Sequence, residues 1–292
     1  MNDHDDIRLG TLTHFQAGAD YVRQILPHGF ESFQIFNWQR LPTFDCDRVA
    51  AEIREAVGDR VISSIGMFCN PLQEPDALRD FARCIDKARD WFGCDLVCGF
   101  AGALEGQSVP DAMPEYKRVW GELAKRAEGN GVRIAFETCD MGGTWNAAHL
   151  NIAHAPHAWE MMFDALPTPA IGLEWEPCHQ LKSFIDPIPQ LRKWLPKILH
   201  LHGKDGTVAW DVIREQGIRG GKPYMWHRHP GFGDTDWRAV IDILRMAKWR
   251  GSIDIEGWHD PVYIGDLELT GQVASLNYLK QCRGGPFVPN PE

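Results

Sequence analysis

The chain lacks any run of about 18 apolar residues, the length a bilayer-spanning helix requires, so a membrane-embedded role is not expected. It opens with MNDHDDIRLG, without a cationic and then apolar leader, and its 8 cysteines include no C-x-x-C pair. A secreted disulfide scaffold and a cysteine zinc site are therefore disfavoured, and a reducing cytoplasm is the expected location. Positive charge is also scarce: 30 Lys and Arg against 40 Asp and Glu leave a formal net charge of −10. That balance argues against a nucleic-acid partner, whose phosphates bind clustered Lys and Arg. No glycine-rich turn opens a helix beside basic residues, apart from the weak GKDG of residues 203–206, so a neutral substrate is expected. Low-complexity segments and short internal repeats are absent too.

What is present is a chain of 292 residues, 44% hydrophobic and 24% charged, long enough to bury one large core. Strand-like segments fall near residues 8–13, 32–37, 61–67, 95–100, 132–137, 170–176, 198–202 and 252–256. Between them lie helical stretches such as DRVAAEIREAVG, DALRDFARCIDKARDWFG, PEYKRVWGELAKRAEGNG and DWRAVIDILRMAKWRG, with Asp openings as N-caps and Gly endings as helix stops. Repeated strand-helix units predict an α/β fold, a (β/α)8 TIM barrel, as one domain over residues 1–292. A long connection, about 203–237, follows the seventh strand, and an irregular C-terminal tail, GGPFVPNPE, ends the chain.

Four of the strands end in a metal-type side chain: RIAFE at Glu137, GLEWEPCH at Glu176 and His179, ILHLH at His202, and IDIE at Glu256. Their apolar residues share one parity (Ile134 and Phe136, Leu173 and Trp175, Leu199 and Leu201, Ile253 and Ile255), which leaves the candidate ligands on the other face. Carboxylates and imidazoles at the C-terminal tips of barrel strands describe a mouth that binds a divalent ion. Glu174 shares the inward parity of Glu176 and competes with it; the deeper position suits a substrate contact or an Arg pair. His200, deeper than His202, reads as a hydrogen-bonded core histidine.

With FNW, CNPL, AFETCDMGG, IGLEWEPCH, LHGKD, HPGFGDTDW and IEGWHDP in order, the sequence resembles the xylose-isomerase-like TIM barrel superfamily. That group holds sugar isomerases and epimerases, inosose dehydratases, ketose 3-epimerases and, more distantly, endonuclease IV. The resemblance implies one divalent ion held by Glu137, Glu176, His202 and Glu256: Mn²⁺ first, with Mg²⁺, Co²⁺ or Zn²⁺ compatible with the same donors. It implies a small carbohydrate substrate whose carbonyl and neighbouring hydroxyl the ion chelates, with Glu137 and Glu256 as the proton-shuttling catalytic pair. His179, His229, Lys204 and Trp258 are the expected substrate-binding residues, and His227, Asp205, Trp38, Trp145, His14 and Asn70 lie near the same strand tips. Pairing into homo-oligomers is common in the group.

Three departures bear on the reaction. Glu176 stands where the family usually has Asp. Gly143 occupies the place of a second Glu in ketose 3-epimerases, and Ala101 that of a histidine needed for the three-zinc cluster of endonuclease IV. The expected function is a metal-dependent isomerase or epimerase of a keto-sugar or polyol ketone, working through an enediolate. The alternative is a lyase on the same site, an inosose dehydratase or 3-keto-glycoside eliminase, toward which MGGT and HDP point. A non-catalytic sugar-binding barrel is the third reading.

Overall fold

A computed structural model describes residues 4–291. Its strands are β1 (Ile7–His14), β2 (Ser32–Trp38), β3 (Val61–Phe68), β4 (Leu96–Gly99), β5 (Arg133–Glu137), β6 (Ile171–Trp175), β7 (Ile198–Gly203), β8 (Asp205–Val208), β9 (Met225–Arg228) and β10 (Gly251–Ile255). Its helices are α1 (Gly18–Ile25), α2 (Cys46–Val57), α3 (Pro75–Phe92), α4 (Val109–Asn130), α5 (Pro156–Ala165), α6 (Cys178–Lys182), α7 (Pro187–Trp194), α8 (Trp210–Gln216), α9 (Trp237–Met246) and α10 (Glu268–Cys282). Eight strands close into a parallel α/β barrel in the order β1-β10-β7-β6-β5-β4-β3-β2, and β8 and β9 form a separate two-stranded sheet. All eight predicted strands are there.

Contacts divide the chain into two compact units. One comprises Leu12–Trp175 with Lys197–His200, and holds the parallel pairings from β2 through β6. Its strand parity is set by side-chain size and polarity. Phe136 packs outward, with its ring 4.6 Å from Trp120 and 5.9 Å from Tyr116 of α4. Ala135 instead joins Leu96 and Cys98 in an inner cluster, and Glu137 follows on that inner face. Helix α4 begins earlier than the sequence reading at Pro114. Ser108 caps it by accepting from Asp111 N, Pro110 fits the first turn, and Pro114 is absorbed inside the helix.

The other unit runs up to Thr11, spans Glu176–Pro196 and continues from Leu201. Here β10 lies between β1 and β7, with Ile253 opposite both Leu9 and Leu201 and Asp254 opposite His202. The long connection after β7 is more ordered than its sequence indicates. It folds into the antiparallel hairpin β8–β9, pairing Asp205 with Arg228 and Gly206 with His227, with α8 between the two strands. Buried Asp205 ties both ends of this segment together, accepting from Gly206 N, Thr235 N and Trp237 Nε1. The GKDG amide at Gly206 is thus already engaged, which removes it as a phosphate donor. Beyond α10 the tail has no helix or strand among the described residues and is mostly exposed.

Candidate metal centre and active site

Glu256 follows β10 directly, and its amide donates to Gly203 O at the end of β7. Its buried carboxylate takes a short hydrogen bond from Lys204 Nζ on Oε1, while His202 Nδ1 lies 3.1 Å from Oε2. Burial works to raise this carboxyl, but Lys204 and His202 outweigh it and hold the group well below the usual carboxylate range. Glu256 is therefore ionised at neutral pH. Glu176, wholly buried, follows β6, and His179 one helical turn later sets its Nε2 3.3 Å from Glu176 Oε1. Cys178 Sγ lies 3.3 Å from His227 Nδ1, and the His227 ring is 5.2 Å from that of His179. Burial, helped by the charges of Lys204 and His179, pushes His227 down to about 3, so it is a neutral imidazole.

His229 is fully buried. Asp260 accepts from its backbone N and stands 3.2 Å from its Nδ1. Asp260 also accepts from Val262 N, Tyr263 N and Arg228 Nε. Burial opposes ionisation of Asp260, yet these donors together hold it well below the ordinary carboxylate range. The ring of His229 presses so closely on the chain that a Cβ at Gly257 would fall 2.3 Å from Nε2. It braces the backbone that follows Glu256. Trp258, 38% exposed, lies one residue further on.

Glu137 is the last residue of β5, and its Oε2 accepts from Cys139 Sγ at 3.1 Å. Asn151 fastens this strand end: its Nδ2 donates to Glu137 O and Cys139 O, and its Oδ1 accepts from Ala101 N and Ala153 N. One level deeper, Glu174 takes a hydrogen bond from Gln34 Nε2 at 2.5 Å and lies 2.9 Å from His200 Nδ1. Glu174 is thus engaged by this histidine and amide, and the core role read for His200 agrees with its burial and this contact.

Ligand-type atoms of Glu137, Glu176, His202 and Glu256 all lie within 4.8 Å of one another, and all four residues are buried. Two other such groups occur among the described residues, Cys178 with His179 and His227, and Cys98 with Glu174 and His200. Three buried carboxylates this close repel one another strongly in a low-dielectric interior, and Lys204 supplies only one compensating charge. A divalent cation fits such a donor set, and its oxygen-rich character suits a hard or borderline ion.

The structure brings the four predicted ligands together, with His179 beside Glu176 and Lys204 beside Glu256, while Cys139, Asn151 and Asp260, which also hold this region, were not singled out in the sequence. Cys139 has the parity of Glu137, a signal that could have exposed it. Asn151 and Asp260 act through irregular backbone, which leaves no periodic trace. One of the three departures, Gly143, has a structural reason. A Cβ on Gly143 would lie 2.6 Å from His149 N, so no second Glu fits there. Ala101 is buried with both backbone groups engaged, by Asn151 and Trp120. Near His14, Nδ1 accepts from Gln16 N, and Asn70 is bonded to the backbone of Ala103.

A closed parallel barrel with acidic and imidazole side chains gathered at its strand tips places the chain among α/β barrel enzymes. The chain matches the xylose isomerase-like TIM barrel family over residues 22–282 and belongs to it. It is 28% identical over 120 residues to an inosose dehydratase of Clostridium tetani, a match covering 38% of each protein, so the chain spans well under half of that curated relative. A xylose isomerase domain protein from Planctomyces limnophilus superposes with a TM-score of 0.71 at 19% identity, covering 96% of this chain and 98% of that one. The 3-keto-D-glucoside 4-epimerase of E. coli superposes with a TM-score of 0.68 at 14% identity, covering 94% of this chain and 100% of the other. At these identities the two structures share the fold.

Proposed function

We propose that this protein is a divalent-metal-dependent enzyme that moves a proton beside the ketone of a small carbohydrate, as a sugar isomerase or epimerase. The observation that carries this reading is the buried group of Glu137, Glu176, His202 and Glu256. A divalent ion held there, with Mn²⁺ first and Mg²⁺, Co²⁺ or Zn²⁺ as alternatives, would polarise the ketone and acidify the adjacent C–H. Glu256, kept ionised by Lys204 and His202, is the stronger candidate to accept the first proton. Glu137, whose Oε2 accepts from the Cys139 thiol, would give the opposite face a proton that it has first taken up from solvent, while Glu256 releases to solvent the proton it accepted, so the pair returns to its starting state. His179, Lys204 and Trp258 are assigned to substrate contact, while His229 acts on the site through the backbone at Gly257. The group is buried, as proton transfer away from bulk water requires.

A second reading, elimination of water or an aglycone after the same first step, is favoured by the inosose dehydratase relative and by the filled space at Gly143. The reaction is tested by incubating metal-loaded protein in D₂O with keto-sugars, inososes and 3-keto-glycosides, followed by NMR and mass. Deuterium beside the carbonyl in a compound of otherwise unchanged formula is the expected result. Loss of water or an aglycone, with new ultraviolet absorbance, would select the lyase. Turnover that requires a nicotinamide and retains substrate deuterium would defeat both.

A further inference from the structure

His227 is a half-buried imidazole beside the site, and the proposed reaction leaves it without a task. Its place on β9, paired with Gly206 of β8, brings it against Cys178, the first residue of α6. His179 Nε2 lies 3.3 Å from Glu176 Oε1, the ring of His227 follows 5.2 Å from that of His179, and the ring of His259 lies 5.6 Å from His227. His227 is thus one imidazole removed from the carboxylate group. It is still close enough for the charges of Lys204 and Glu256 to act on it. A sugar whose carbonyl and neighbouring hydroxyl occupy the metal group places its remaining oxygens beyond that group, within reach of such a ring.

The contact with Cys178 decides what the ring offers. Cys178 Sγ and His227 Nδ1 are 3.3 Å apart, and either the thiol donates to the ring nitrogen or a ring N–H donates to sulfur. An imidazole nitrogen is a good acceptor and sulfur a weak one. Cys178 is fully buried and makes no other hydrogen bond among the described residues, so the second arrangement would leave the thiol proton without an acceptor. The thiol is therefore the donor and Nδ1 the acceptor, which puts the single proton of the neutral ring on Nε2. No described residue accepts from that Nε2–H. The same bond occupies Sγ and Nδ1 with each other, which sets Cys178, His179 and His227 apart from the carboxylate group as an ion site.

We infer that His227 is a substrate-binding residue whose Nε2–H donates to a sugar oxygen outside the pair held by the metal, and that Cys178 is the positioning residue that orients it. The inference rests on the proposed function, which supplies the bound sugar. It narrows the substrate to a ketone that keeps a hydroxyl or ether oxygen at that place, and it disfavours analogues deoxygenated there.

The tautomer is read by long-range ¹⁵N–¹H NMR on the full-length, Mg²⁺-loaded protein labelled at histidine nitrogen, with His227→Phe assigning the signal. A proton on Nε2 alone is expected, and a proton on Nδ1 would overturn the inference. Kinetics then use whichever of fructose, an inosose and methyl 3-keto-glucoside the wild-type protein turns over. His227→Phe, which keeps a ring and loses the donor, should raise KM about tenfold, the range of one net hydrogen bond, with kcat changed less than about threefold. His227→Gln returns an N–H at similar reach and should recover most of that loss. Cys178→Ala should raise KM in the same direction, and Cys178→Ser, whose hydroxyl can make the same donation, should reverse it. An unmoved KM in His227→Phe would overturn the inference while leaving the reaction intact. Turnover of none of the three compounds by wild-type protein would overturn the reaction instead, and titration calorimetry with the same compounds then decides the contact: about tenfold weaker binding to His227→Phe supports it, and equal or absent binding overturns it.

Discussion

Glu256 illustrates how much of this site is decided by single contacts. Burial alone would favour its neutral form, and the ammonium of Lys204 and the imidazole of His202 reverse that preference. If Glu256 carries a proton, Glu256→Gln should lower turnover by at least about 10²-fold at saturating metal. Near-normal turnover in metal-loaded Glu256→Gln would remove it from that role. Lys204→Met takes away the cation that lowers the carboxyl, so burial then acts less opposed and the acid limb of the rate profile should move to higher pH. A limb that stays in place would show that Lys204 does not set it. At this scale the sequence was informative wherever parity applied. Alternation pointed to Glu137, Glu176, His202 and Glu256, and the structure gathers all four. Glu176 rather than Glu174 joins the group because Glu174, a layer deeper, is engaged by Gln34 and His200.

At the scale of elements, the site depends on how loops hold strand ends. The segment after β10 is pinned by Asp260 and His229, and Gly257 is the only residue type that leaves room for the imidazole. Gly257→Ala should force either the ring or the strand end aside, at about 1–3 kcal/mol of stability, with turnover falling about 10²-fold. Chemical denaturation and kinetics on the same preparation would check it. Wild-type stability and turnover would show that the ring yields freely. The barrel strands were legible because buried parallel strands write their polarity into short runs. The hairpin β8–β9 was not, because its order comes from Asp205 reaching Gly206, Thr235 and Trp237 across a long separation. The start of α4 was misplaced for a local reason: Pro114 imitates a helix opening, and the true cap at Ser108 precedes it.

For the whole molecule, all 8 cysteines are buried and none is in a disulfide. Burial pushes Cys94 up to about 12, against an ordinary value of 9.0. Between those values the unfolded thiol has lost its proton and the folded one has kept it, so stability is full below about pH 9 and declines as pH rises toward 12. Cys94→Ala should flatten part of that alkaline decline in thermal melts between pH 8 and 11 relative to wild type, and an identical decline in both would assign it to other groups. No described helix is long and apolar enough to cross a membrane. The fold as a whole was readable from strand spacing and order, whereas the shared level of Phe68, Phe100 and Glu137 emerged only from strand register. The central claim is that Glu137, Glu176, His202 and Glu256 together hold one divalent ion, and metal analysis of dialysed protein tests it most directly. The account predicts one ion per chain, lost in His202→Ala. Three zinc ions per chain, or an ion fully retained in His202→Ala, would contradict it.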